Sequence, residues 1–185
     1  MKTIFKVFVL AVFVLFPTIT YADDSVEISS IVSKYFDALR MYDTEAMSSL
    51  MHPDALEQFR SSFDNAFEGS KSAQAKKELL PLLSLNDYSE YLKLSNKEAY
   101  KRLNDGIASH APELIEMMKS SEFEIVSTTV KNDTAYVIYK LGLNINGRNL
   151  SQEVVQKLKK QDAKWLLLLP STAESSIANI HARFN

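Results

Sequence analysis

The chain has 185 residues, with 21 lysines and arginines against 23 acidic side chains, a net charge of −2 and no cysteine. That composition excludes disulfides, thiolate catalysis and cysteine-type zinc sites, and it offers no basic face for nucleic acid. The length predicts one domain with a core large enough to stand without covalent staples.

The first 22 residues differ from the rest. Lys2 and Lys6 precede an apolar run, Val7 to Phe16, which Pro17 breaks before small or uncharged residues lead to Ala22. Ten apolar residues fall short of the roughly 20 that span a bilayer. A charged start, an apolar middle and a small-residue end predict a secretory signal peptide over 1–22, cut after Ala22. Residues 23–185 would then form a single domain, periplasmic or secreted, with no membrane association after cleavage. Loss of Lys2 and Lys6 with the leader leaves 19 basic against 23 acidic side chains, a net charge of −4. The lack of cysteine favours a bacterial periplasm.

In chain order, Ile28, Ile31, Val32, Tyr35, Leu39 and Tyr42 recur at three and four residues and predict a helix over 25–42. Asp24 and Glu27 have the spacing of a capping pair at its start. Asp43 reads as the N-cap of a short second helix with Met47, Leu50 and Met51 inside. Pro53 suits the first turn of a third helix, with His52 before it as a cap candidate and Gly69 placed to end it. The stretch 70–121 reads as a helical insertion. Pro81 should break or kink its first helix; Ser95 and Glu98 form a capping box; Pro112 opens a last helix with Leu114, Ile115, Met117 and Met118 facing inward.

From Phe123 the period changes to two. Ala135, Val137, Tyr139, Leu141 and Leu143 share one face of a strand. Asn146-Gly147 predicts a tight hairpin, and Leu150, Gln152, Val154, Gln156 and Leu158 return on the next strand. Glu153 alternates away from Val154. A further turn and "WLLLLP" complete an antiparallel meander. Ser171 and Glu174 predict a cap for a short C-terminal helix that packs back through Ile177, Ile180, His181 and Phe184.

Helices followed by an antiparallel meander define an α+β class. The segment carrying Tyr35, Ala38, Leu39, Asp43, Leu50, Asp54 and Ala55 resembles the start of the nuclear transport factor 2-like superfamily. Asp133, Thr134, Ala135 and Val137, then Asp162, Lys164 and Trp165, resemble its closing strands. The resemblance spans about 26–68 and 122–170. It implies N-terminal helices packed into a strongly curved antiparallel sheet, a cone-shaped, cystatin-like roll. It also implies a wide choice of roles, since members include isomerases, dehydratases, epoxide hydrolases, polyketide cyclases, transport factors and many exported proteins of unknown role. In ketosteroid isomerase-like members the tyrosine matching Tyr35 donates a hydrogen bond to the substrate, and a carboxylate base faces it. Phe59 stands near the position of that base here.

The residues alone yield no reaction motif. His52, His110 and His181 lack the spacing of a metal site, and neither a G-x-S-x-G elbow nor a phosphate-cradling glycine loop occurs. No metal and no cofactor are expected. The expected role is non-catalytic binding of a small apolar ligand or a protein partner, with Tyr35, Met47, Met51, Tyr139 and Trp165 as the candidate wall of a pocket. The alternative is an isomerase- or dehydratase-type enzyme using Tyr35 as hydrogen-bond donor, with a carboxylate such as Glu153 as base. A homodimer built on the outer face of the strands is a third option.

Overall fold

A computed structural model describes residues 21–145 and 147–184 of the chain; the predicted leader lies almost wholly outside them. The described residues form α1 (Tyr21–Met41), α2 (Thr44–Ser49), α3 (Pro53–Glu68), α4 (Ser72–Leu82), α5 (Tyr88–Leu92), α6 (Asn96–His110) and α7 (Pro112–Lys119). Strands β1 (Glu122–Lys131), β2 (Thr134–Ile145), β3 (Arg148–Gln161) and β4 (Lys164–Leu167) follow, then α8 (Ser171–Phe184). The strands make one antiparallel sheet in the order β1-β2-β3-β4. The architecture is α+β, as the element order predicts. α1 touches both edge strands, β1 and β4, so the sheet curls around this helix.

Local chemistry sets most element boundaries. Asp43 accepts the Ala46 N–H at 2.9 Å, and the Ser95–Glu98 capping box is fully formed. Pro53 opens α3, and His52 caps it by accepting the Asp54 N–H on Nδ1 at 3.1 Å. Each cap satisfies helix N–H groups that have no intrahelical acceptor. Pro81 sits in the last turn of α4, which ends one residue later. The β2–β3 turn carries Gly147 at a φ of +78°, a conformation that favours glycine.

Three expectations change. The buried stripe of α1 centres on Ile28, Val32 and Phe36, with Tyr35 at its margin and only partly buried. Asp24 is not a cap, because it lies inside α1, which already includes Tyr21. Its carboxylate reaches Lys160 Nζ at 2.7 Å and accepts the buried Trp165 Nε1–H at 2.9 Å, tying the start of α1 to the β3–β4 turn. Finally, α7 buries none of its residues fully: Leu114, Ile115, Met117 and Met118 are half-exposed.

The helical layer is bound by long-range contacts. The Arg60 guanidinium stacks 3.9 Å from the Tyr91 ring centre, pairs with Asp64 at 3.0 Å and donates to the Leu94 and Tyr91 carbonyls. Gly106 of α6 lies against α4 so closely that a Cβ there would stand 1.7 Å from the Leu82 carbonyl oxygen. On the far side, β4 joins the chain between α2 and α3. Met51 bridges Leu167, the His52 N–H donates to the Leu167 carbonyl, and the Leu167 N–H donates to that of Leu50. Within this seam the buried Gln156 side chain donates to the Leu168 carbonyl at 2.6 Å, replacing a ladder bond where β4 ends.

Candidate functional site

Among the five candidate wall residues, Tyr35 and Tyr139 come together at Phe36, which each ring meets edge-on, at 6.3 and 4.8 Å. Tyr100 from α6 lies near enough to Tyr35 to influence its titration, and Tyr42 and Tyr139 stand within electrostatic reach. Burial pushes the Tyr35 hydroxyl well above the usual tyrosine range, and the neighbouring Tyr100 adds to it. Burial likewise pushes Tyr139 up to about 12. All these groups therefore stay protonated at neutral pH, available as hydrogen-bond donors.

The space beside them holds rings. Phe36 stacks on Phe123 with centroids 3.9 Å apart, and Tyr139 meets Phe36 edge-on at 4.8 Å. Phe59 packs edge-on against Tyr100 at 5.3 Å, so an aromatic ring stands beside Tyr100 as well. Glu153 is exposed, opposite Lys140 in the register, while its neighbours Val154 and Gln156 are buried. It therefore lies on the outer face, away from Tyr35. Met47, Met51 and Trp165 are buried in the core. Trp165 sits with Asp24 near the start of α1, eleven residues before Tyr35, or about 16 Å along a helix. The structure thus divides the candidate wall between two places.

The open concavities are lined by other residues. A groove of about 800 Å³ lies at the free end of the β2–β3 hairpin. Arg40 at the end of α1, Glu122 and Phe123 of β1, and Leu143, Asn149 and Leu150 of the hairpin line it. Arg40 is fixed by donating from Nε to the Ser121 carbonyl at 3.1 Å. Leu150 is 53% exposed. Gly142, opposite Glu122, keeps this part of the strand pair slim. Arg40 and Glu122 carried no signal, since both fall off the apolar stripes. Among the described residues, no group of three histidine or acidic side chains could hold a metal ion, and no helix is long and apolar enough to cross a membrane.

Helices on one curled antiparallel sheet, with a ring-filled interior and an open groove at one end, define the class of this molecule. No family model and no curated protein matches the chain. Among solved structures it is similar to an NTF-2 like protein of unknown function from Shewanella oneidensis MR-1, with 12% identity over 80% of this chain and 96% of that one and a TM-score of 0.46. It is also similar to a protein described as an NTF2-like transpeptidase from Campylobacter jejuni, with 23% identity over 60% of this chain and 93% of that one and a TM-score of 0.27. The chain is thus similar to NTF2-like proteins, while its architecture is read from its own helices and sheet.

Proposed function

We propose that this chain is an exported, non-catalytic binding domain whose target is a protein. The observation that carries this reading is the filling beside Tyr35. Phe36, Phe123, Phe59, Tyr100 and Tyr139 pack ring against ring there, so a small apolar ligand would have to displace well-packed aromatics. Glu153, the carboxylate considered as a proton-transferring base, is on the outer face, away from Tyr35. The accessible concavity is a surface groove with apolar and charged lining, the mixture that protein interfaces use. The leader composition supports export, with cleavage placing Asp23 first.

Two measurements test this. A photo-crosslinking amino acid at Leu150, in the groove, is compared with one at exposed Ser171, in the cells that export the protein. Native mass spectrometry of the same preparation looks for bound small molecules. The expected result is a protein adduct from position 150 and not from 171, with no co-purifying small molecule. A stoichiometric apolar ligand with no adduct at 150 would overturn the reading.

A further inference from the structure

We propose that the groove at the free end of the β2–β3 hairpin docks a second copy of this chain, edge to edge about a two-fold axis; this rests on the protein-partner reading above and names the partner.

The register leaves an edge without a strand partner there. β1 begins at Glu122, opposite Gly142, while β2 stays paired to β3 as far as Ile145, opposite Arg148. Leu143, Asn144 and Ile145 therefore have β3 on one side and, among the described residues, no strand on the other. Open strand edges recruit strands. An edge related to itself by a two-fold axis pairs antiparallel, so this short edge needs no foreign sequence to complete it.

The charges select the same partner. Glu124 and Lys140 face each other in the register. Arg40 and Glu122 remain, one cation and one anion in the same groove, neither in an ion pair among the described residues. The Arg40 guanidinium is held only through Nε, leaving its outer N–H groups free to make a forked contact. A partner must bring both signs, and a second copy does: the rotation sets Arg40 against Glu122 of the partner subunit and repeats the contact in reverse. Between them lies the apolar part. Leu150 is directly opposite Leu143 in the register and is one of the most exposed large apolar side chains of the sheet. Edge-to-edge docking covers both leucines on both copies.

Sedimentation equilibrium of the exported, purified protein from micromolar to about millimolar concentration tests this, with hydrogen exchange followed at residues 143–145. The expected result is a reversible dimer in which exchange at those residues slows as concentration rises. Glu122→Arg should weaken it by about tenfold, because the axis counts each charge pair twice. The Arg40→Glu, Glu122→Arg double variant should restore it to within about threefold, and Leu150→Asp should leave a folded monomer. Far-UV circular dichroism and Trp165 fluorescence verify folding of each variant. A protein that stays monomeric to about millimolar overturns the proposal, while the crosslinking result at position 150 separately decides the protein-partner reading. A dimer indifferent to Glu122→Arg and Leu150→Asp but broken by Tyr136→Asp or Val155→Asp also overturns it, because it would lie on the outer face of the sheet.

Discussion

The layer from α3 to α6 and the groove end of the sheet are built on opposite terms. In the helical layer, backbone touches backbone at Gly106 and Leu82, and a nearly buried arginine satisfies two carbonyls, a carboxylate and a ring face. At the groove end, α7 buries no residue fully, Leu150 lies open, and three residues of β2 have, among the described residues, no strand on one side. Local stability follows buried contact and protected hydrogen bonds. The helical layer should therefore carry the cooperative stability, and the groove end should tolerate change while governing recognition. A binding surface drawn from the less stable part of a rigid scaffold is a common arrangement.

The strongest way to break this contrast is Gly106→Ala. The added methyl meets a backbone oxygen that no side-chain rotation can move, so α4 and α6 must separate. The expected loss is about 3 kcal/mol or more, the upper range for overpacking, read from urea unfolding followed by the fluorescence of Trp165, the single tryptophan. Leu150→Asp, in the same assay, should change stability by less than about 0.5 kcal/mol, as exposed substitutions do. Equal losses from the two variants would erase the distinction. Next in size is Arg60→Met. It keeps much of the packing but leaves the Leu94 and Tyr91 carbonyls without their donor and the Asp64 carboxylate with only the Tyr91 hydroxyl. A cost of about 2–3 kcal/mol is expected, mostly from stranded partners. Because the α5–α6 connection hangs on these bonds, exchange of amides near 91–95 should rise before that of β2 and β3.

What the sequence disclosed follows from the range of the interactions. Caps are local, so Asp43, Pro53 and the Ser95–Glu98 box could be read without a structure, and so could the Asn146-Gly147 hairpin and the alternation that buries Ala135, Val137 and Tyr139. Asp24 shows the failure. Its spacing to Glu27 matched a cap, yet its partners Lys160 and Trp165 lie 136 and 141 residues away, and no local pattern encodes them. Arg60 likewise falls off the apolar stripe and would be read as solvated, although its side chain is nearly buried. The inner face of α1 was legible to within one position, which moves Tyr35 to the margin and puts Phe36 at the centre. The groove depends on where β1 stops against β2, a register that alternation alone leaves open. The candidate site was therefore less legible than the fold.

His52 joins the helical layer to the β4 edge of the sheet, and it yields the smallest and most specific effect. It caps α3 while its backbone N–H holds the Leu167 carbonyl of the β4 edge. To accept from the Asp54 N–H, Nδ1 must be unprotonated. Burial lowers the imidazole below its ordinary value; the Asp54 carboxylate, 3.5 Å away, opposes this, and Lys159, paired with Asp54, reinforces it. Because the folded value is depressed, the unfolded chain takes up the proton first. Stability is then complete above the unfolded value near 6.5 and declines as pH falls from there toward the folded value. The amount at stake is about that of a helix cap, roughly 1 kcal/mol. Asp54 itself titrates lower than usual, held down first by its hydrogen bond to Lys159, so its own contribution is lost only in stronger acid. His52→Asn keeps a capping acceptor and removes the titration. Urea midpoints for the parent should fall between pH 8 and pH 5, while those of the variant should stay level over the same window. A variant with an unchanged slope would show that the acid sensitivity lies elsewhere. A parent with no slope would show that α3 and the β4 edge stay joined without the neutral imidazole.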